Sequence, residues 1–404
     1  MNGTTIQPLY ECFARRNLHF QQGNAVWLIS DKGEHYLDFT SGIAVNVLGY
    51  AHPKLVDTLK RQAEKLWHVS NLFQSPEQEA LAAQLCANSF ADKVFFCNSG
   101  AEAVECAFKT ARHYHYASGH PTRVEIITFE DAFHGRTLAT LAATGQEKYL
   151  QGFGPKAGGF IQIPFCDEIA LRNAINKNTA AILIEPIQGE GGIRTVSHEY
   201  LRLLRKICDE NGLLLILDEV QTGIGRTGKL FAYEWSGIIP DILTLAKGVG
   251  GGFPLGACLA TEKAAKSMTL GTHGSTFGGN LLGMVVGKTV LDIILEPGFL
   301  DNVQQIGYKL KSGLSNILSA YPDIICAIHG VGLMLGIQCV VPSHVVVNAL
   351  EKEYLLSVSA NNNVVRLLPP LIIKEEEIDE GLYRIEKALA SLSQKKQRIT
   401  RIIS

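Results

Sequence analysis

Lys247 stands between an apolar run and a string of glycines in "LAKGVGGGFPLG" (245–256). The run before it, "DILTL" (241–245), reads as a buried strand, where an ammonium is costly unless its charge is used or removed. A lysine desolvated at a strand end has a lowered pKa and a nucleophilic amine. The competing reading is a lysine that snorkels at a sheet edge. Asp218 and Glu219 close another apolar run in "LLLILDEVQTGIGRTG" (213–228). Open α/β sheets build their sites at the carboxyl ends of strands. An acid there can bind a metal, act as a base, pair with a cationic ring nitrogen, or simply cap the next loop. No nearby His or carboxylate cluster has metal-ligand spacing, so no metal site is expected.

Other segments add to this set. "CNSGAEAVECAFKTAR" (97–112) follows a strand and opens a helix, so Ser99, Gly100 and Ala101 fall at a helix N-terminus. Free N–H groups and the dipole there suit a phosphate, although a serine-capped turn explains the same residues. "EDAFHGRTLAT" (130–140) offers Phe133 to stack on a flat ring and Arg136 to grip a carboxylate. "IEPIQGEGG" (184–192) supplies Glu185 and Glu190, and "HGSTFGGN" (273–280) supplies Ser275 and Thr276. "VVRLLPPLII" (364–373) sets Arg366 in an apolar strand, where an anionic partner is expected. A phosphate cradle, a strand-end acid, a strand-end lysine, an aromatic and two arginines together suit pyridoxal 5′-phosphate.

The elements that must position these residues alternate along the chain. β-rich runs at 93–97, 124–129, 180–186, 213–219 and 241–246 are separated by helix-period stretches such as "EAVECAFKTARHYHYA" and "HEYLRLLRKICDENG", the latter stopping at Gly212. Continuous apolar runs between helices indicate an α/β fold with a mostly parallel sheet covered on both faces. After about residue 300 the pattern becomes that of a smaller α+β lobe. A long amphipathic helix, a turn-rich strand pair "IHGVGLMLGIQC" and a second helix follow one another. We expect three parts: an N-terminal segment 1–47 packing with the small domain, a large domain 48–300 and a C-terminal small domain 301–404. "AVWLISDKGEHYLDF" reads as a hairpin within the first part.

Composition sets outer bounds. The 404 residues carry 37 Lys plus Arg against 39 Asp plus Glu, a net charge of −2, which argues against nucleic acid or an anionic membrane as main partner. No stretch has the apolar length of a membrane helix, and the start has no signal-peptide pattern. Nine scattered cysteines without a CxxC pair argue against a disulfide framework or structural zinc and for a reducing cytoplasm. The basic tail "SQKKQRITRIIS" reads as a solvated end.

Taken in order, "NSGAEAVECAFKTAR", "FHGRT", "EPIQGEGG", "LDEVQTGIGRTG", "LAKGVGGGFPLGA", "GSTFGGN" and "VRLLPPL" resemble the class III aminotransferases of fold type I, most closely their acetylornithine type, from about Leu9 to Leu392. The resemblance implies pyridoxal 5′-phosphate as cofactor and a fold of one large and one small domain. By motif, Lys247 resembles the Schiff-base lysine and Asp218 the partner of the pyridine nitrogen. Gln221 resembles the residue beside the ring's 3-hydroxyl, Ser99, Gly100 and Ala101 the phosphate cradle, and Phe133 the stacking aromatic. Arg136 resembles the clamp for a substrate carboxylate, and Arg366 the arginine for the α-carboxylate of glutamate. Glu190 resembles the glutamate that gates Arg366, and Glu185 a second active-site glutamate. Thr276, with Ser275, resembles a loop that reaches the phosphate of the neighbouring subunit, which implies a homodimer with shared sites.

The same resemblance implies transfer of an amino group to 2-oxoglutarate, with small molecules as the substrates. In "SGIAVNVLGYAHP" (41–53), Gly42 falls where ornithine δ-aminotransferases typically carry a tyrosine, and this leaves room for an acylated amine. N2-acetyl-L-ornithine is therefore the expected donor. Succinyldiaminopimelate, succinylornithine, ornithine and γ-aminobutyrate are the alternatives. Two residues depart from the pattern: Tyr50, where relatives often have histidine, and Val104, where "EANE" is commoner than "EAVE".

Overall fold

The computed structural model describes residues 9–403, with side chains through residue 394. Expectations for residues 1–8, and for the tail's side chains from residue 395 on, lie outside the described residues.

The chain opens with a meander of β1 (Phe20–Asn24), β2 (Trp27–Ser30) and β3 (His35–Asp38), and the expected hairpin is the β2–β3 pair. A seven-stranded sheet then forms from β4 (Lys93–Cys97), β5 (Glu125–Phe129), β6 (Phe160–Ile163) and β7 (Thr179–Ile184), a two-strand ribbon of β8 (Ile187–Gln188) and β9 (Arg194–Thr195) set apart, and β10 (Leu214–Asp218), β11 (Ile242–Leu245) and β12 (Gly256–Ala260). The order is β4-β12-β11-β10-β7-β5-β6, and only β12 runs antiparallel to its neighbours. Every residue of β7, β10, β11 and β12 is buried, which is why these strands read as unbroken apolar runs.

Helices cover both faces. The helix Gly100–Ala117 starts where the Ser99 hydroxyl accepts from Glu102 N, and it buries Ala103, Val104, Ala107, Phe108 and Ala111. Val104 sits in that apolar layer rather than in the site, so its departure from the motif is a packing matter. The helix His198–Asn211 ends at Gly212, whose φ of 61° is the left-handed cap that glycine adopts without a Cβ clash. Because β10 and β11 are parallel neighbours, with Asp218 opposite Thr244, the residues just past their carboxyl ends meet.

The last part carries the helices Leu281–Ile294 and Phe299–Ala320, then β13 (Ile325–Val331), β14 (Met334–Cys339), β15 (Leu355–Leu356), β16 (Val358–Ala360) and β17 (Val364–Leu367), and the helix Glu375–Ile403. β13, β14, β17 and β16 form an antiparallel sheet in that order, whereas β15 pairs parallel with β3. Arg16 adds a 2.6 Å ion pair to Glu351, so the start of the chain is tied to its last quarter. Arg226, fully buried in "GIGRTG", donates to the carbonyls of Leu333 (2.9 Å) and Pro369 (2.6 Å) and ties the seven-stranded region to the segments around β14 and β17. All nine cysteines are free thiols. Among the described residues no helix is long and apolar enough to cross a membrane, and no group of three or more His, Cys, Asp or Glu has metal-binding geometry.

Candidate active site

At the carboxyl ends of β10 and β11 lies a cavity of about 370 Å³ lined by Lys247, Asp218, Gln221, Phe133, Glu185, Glu190 and residues 99–101. Lys247 follows β11 directly and holds a left-handed φ of 45°, a conformation that costs a side-chain-bearing residue energy and recurs at functional sites. Burial lowers its amine pKa to about 8. The charge of Arg366 pushes the same way, and Glu190, Asp218 and Glu185 oppose it. Of the two readings of Lys247, the structure gives the buried strand-end amine, not a lysine at a sheet edge.

The two acids at the end of β10 part company, as alternate residues of a strand do. Asp218 faces the cavity. Its Oδ1 accepts from Val220 N (3.0 Å) and the Thr244 hydroxyl (3.2 Å), and its Oδ2 lies 2.7 Å from His134 Nδ1. Glu219 turns away and accepts from Ala232 N (2.7 Å), Tyr233 N (2.9 Å) and the Thr222 hydroxyl (3.2 Å), which makes it the acid that pins the following turn. Burial raises Glu219 to about 7. His134, a bystander in the sequence, is the partner that orients Asp218. Its own burial works against the charged imidazole, but the hydrogen bond and charge of Asp218 prevail and its pKa is raised.

Glu185 bridges two loops. It accepts from Phe133 N (2.8 Å) and Gly189 N (3.3 Å), and burial raises it to about 7. It therefore holds Phe133 in the wall of the cavity. Residues 99–101 lie at the start of the 18-residue helix Gly100–Ala117, where N–H groups have no carbonyl a turn earlier to bond. The chain is crowded behind this turn. A Cβ at Gly100 would meet Val220 at 2.8 Å, and one at Gly256 would meet the Ser99 carbonyl at 2.4 Å.

Arg366, on β17, reaches Glu190 at 2.6 Å and leaves its Nε without a partner. Arg136 lies beside the cavity rather than in its lining, exposed, with its guanidinium 4.0 Å from the Tyr149 ring centroid and 5.5 Å from that of Phe133. Tyr149 was not singled out from the sequence, because an aromatic at cation–π distance is set by tertiary contact alone. Ser275 and Thr276 line a separate depression with Asn98 and Glu102, so one chain does not bring them to Lys247. The segment Ser41–Ala44 is a left-handed turn, with φ of 43°, 63°, 65° and 61°, unfavourable by roughly 1–2 kcal/mol for each non-glycine residue. It leads into Val45 at the cavity wall, with Gly42 exposed at its second position.

These residues fit pyridoxal 5′-phosphate. Gln221 carries a buried Oε1 without a donor, suited to a phenolic hydroxyl. The helix start suits a phosphate, Asp218 a protonated ring nitrogen, and Lys247 the aldehyde carbon.

Comparison with known proteins agrees with this chemistry. Residues 13–389 match the family model described as aminotransferase class-III. The chain is 61% identical over 392 residues to an acetylornithine aminotransferase of Brucella melitensis, covering 97% of each chain. It is 60% identical to one from Agrobacterium fabrum, covering 97% of this chain and 98% of that one. A crystal structure of N-acetylornithine aminotransferase from Stenotrophomonas maltophilia superposes with a TM-score of 0.84 at 35% identity, over 95% of this chain and 98% of that one. The ornithine aminotransferase of Toxoplasma gondii gives 0.93 at 30% identity, over 96% and 94%.

Proposed function

The chain belongs to the class-III aminotransferases, and from that premise we propose that it moves the terminal amino group of N2-acetyl-L-ornithine to 2-oxoglutarate, giving N-acetyl-L-glutamate 5-semialdehyde and L-glutamate. The reaction is a step of arginine biosynthesis. The observation that carries the chemistry is the meeting of Lys247, Asp218 and the helix start at 99–101 in one cavity. The donor follows from the acetylornithine relatives at 61% and 60% identity.

When bound, pyridoxal 5′-phosphate supplies an electron sink for the carbon that loses a proton. Backbone N–H groups at 99–101 hold its phosphate, Phe133 covers its ring face, and Gln221 accepts from its 3-hydroxyl. Asp218 keeps the proton on the ring nitrogen. The reacting end of N-acetylornithine has no carboxylate, so Glu190 stays on Arg366. When 2-oxoglutarate enters, its α-carboxylate takes the place of Glu190. Arg136 grips the carboxylate at the far end of either substrate.

The assignment of these roles to residues is part of the proposal. So are a large domain over 48–300, a small domain over 301–404 joined by the segment 1–47, a homodimer in which Ser275 and Thr276 reach the partner's phosphate, and a cytoplasmic location without nucleic-acid or membrane partners. A panel of amino donors with 2-oxoglutarate, measured on one preparation, tests the donor. N-acetylornithine should give the highest kcat/KM, and a preference for ornithine would overturn the Gly42 argument. Lys247→Ala should abolish turnover and remove the visible absorbance of bound cofactor. Retention of both by that variant would overturn the role of Lys247.

A further inference from the structure

Tyr50 lies far in sequence from the catalytic motifs, yet its hydroxyl donates to Asp38 Oδ2 at 2.6 Å. Asp38 is completely buried and has no cationic partner among the described residues. Its charge is met instead by donors on the segment that leads to the cavity. Oδ1 accepts from Thr40 N (2.8 Å) and the Thr40 hydroxyl (2.6 Å), and Oδ2 accepts from Ser41 N (2.9 Å). These bonds hold the entry to the left-handed turn Ser41–Ala44, where Ile43, a β-branched residue, has φ of 65°. The turn is wedged against the site. The Ser41 hydroxyl donates to the carbonyl of Leu368, two residues beyond Arg366, and Leu368 N donates to the Phe39 carbonyl at 2.7 Å. At the turn's far end Val45 lines the cavity.

Tyr50 is itself fixed. Its backbone exchanges hydrogen bonds with Ala25 (3.0 and 2.7 Å), and its ring lies so close to Gly23 that a Cβ there would meet it at 2.5 Å. Burial and the charge of Asp38 both push the phenol pKa up, so the hydroxyl remains a donor. A strained turn keeps its path only where its surroundings over-determine it. Here the Asp38 carboxylate does so, and Tyr50 supplies one of its four hydrogen bonds.

We infer that Tyr50 is a positioning residue for the amino donor: through Asp38 it fixes the turn Ser41–Ala44, so that the side-chain-free position Gly42 leaves space for the acylated end of the donor. This rests on the donor proposed above. It also gives the departure at Tyr50 a physical role.

Tyr50→Phe, which keeps the ring packing and removes the hydroxyl, tests it in the cofactor-loaded enzyme. The two half-reactions are followed separately by the absorbance change of the bound cofactor, with N-acetylornithine in one and glutamate in the other. The expected result is a rise of about tenfold in half-saturation for N-acetylornithine, with its limiting rate and both glutamate constants within about twofold of wild type. Thr40→Val removes a hydrogen bond from the other side of Asp38 and should give the same donor-selective pattern. It decides the matter if Tyr50→Phe loses the cofactor absorbance. An equal loss for both amines, or no change for either, overturns the inference. A wild-type enzyme that does not turn over N-acetylornithine overturns the proposed donor instead.

Discussion

His134 and Asp218 meet at 2.7 Å, and Arg366 and Glu190 at 2.6 Å, yet the two pairs are built differently. The first has side chains 0% and 3% exposed, and the Asp218 carboxylate is further held by Val220 N and the Thr244 hydroxyl. The second pairs an arginine 2% exposed with a glutamate 25% exposed. Glu190 is anchored through its backbone, whose carbonyl accepts from Asn361 N at 3.0 Å, and its carboxylate makes one ion pair. One pair lies in the sheet and is over-determined. The other joins a loop to β17 and is held by a single contact that an incoming carboxylate can replace. Fixed charge belongs where the electrons are stored, and exchangeable charge where two different substrates must be received in turn.

Four measurements test that contrast. Asp218→Ala should have the largest effect, a fall in kcat of about 10³-fold, on the order of 4 kcal/mol, in steady-state turnover at saturating cofactor. A loss no greater than that from changing Glu190 would erase the distinction. Arg366→Ala should lower kcat/KM for 2-oxoglutarate by about 10²-fold and leave the N-acetylornithine half-reaction within a few-fold, because only the acceptor brings a carboxylate to that position. For the protein stripped of cofactor, the rate of cofactor uptake should rise roughly tenfold per pH unit up to about pH 8 and then level off. The sign follows from the lowered pKa. The neutral amine prevails above about 8 rather than above 10.5, and a rise continuing to pH 10 would contradict the burial of Lys247. Glu190→Ala should have the smallest effect, slowing the N-acetylornithine half-reaction by about three- to tenfold and sparing that of glutamate. Stopped-flow traces with each amine separate the two.

The residues legible in the sequence are those whose position depends on local pattern. Lys247 and Asp218 each end an apolar run, and a parallel sheet brings adjacent strand ends together, so their meeting followed from strand order. Residues 99–101 were marked by a strand giving way to a helix behind a capping serine. His134 was not legible as a partner of Asp218, because a 2.7 Å contact across 84 residues leaves no periodic trace. Glu219, beside Asp218 in sequence, was equally a candidate, and only the facing of β10 separates the acid that serves the cavity from the one that pins a turn. In Ser41–Ala44 only Gly42 hints at positive φ. The strain at Ser41, Ile43 and Ala44 is imposed by Asp38 and Leu368, which no residue within the segment encodes. The apolar pattern suggested the association of the first residues with the last lobe but did not identify β15 as the strand that receives β3.

The reversed strand β12 has a consequence for how the cofactor is received. It leaves β11 through the glycine-rich turn and runs back beside β4, with Ala257 opposite Leu245 on one side and Gly256 opposite Cys97 on the other. The lysine and the anion-holding helix start thus hang from two strands stitched to the same middle strand, one residue apart in register. Their separation is a covalent and hydrogen-bonded dimension of the sheet, settled when the chain folds. Binding then need not pay to gather its contacts, and the free energy released on the phosphate remains available for holding the cofactor in place.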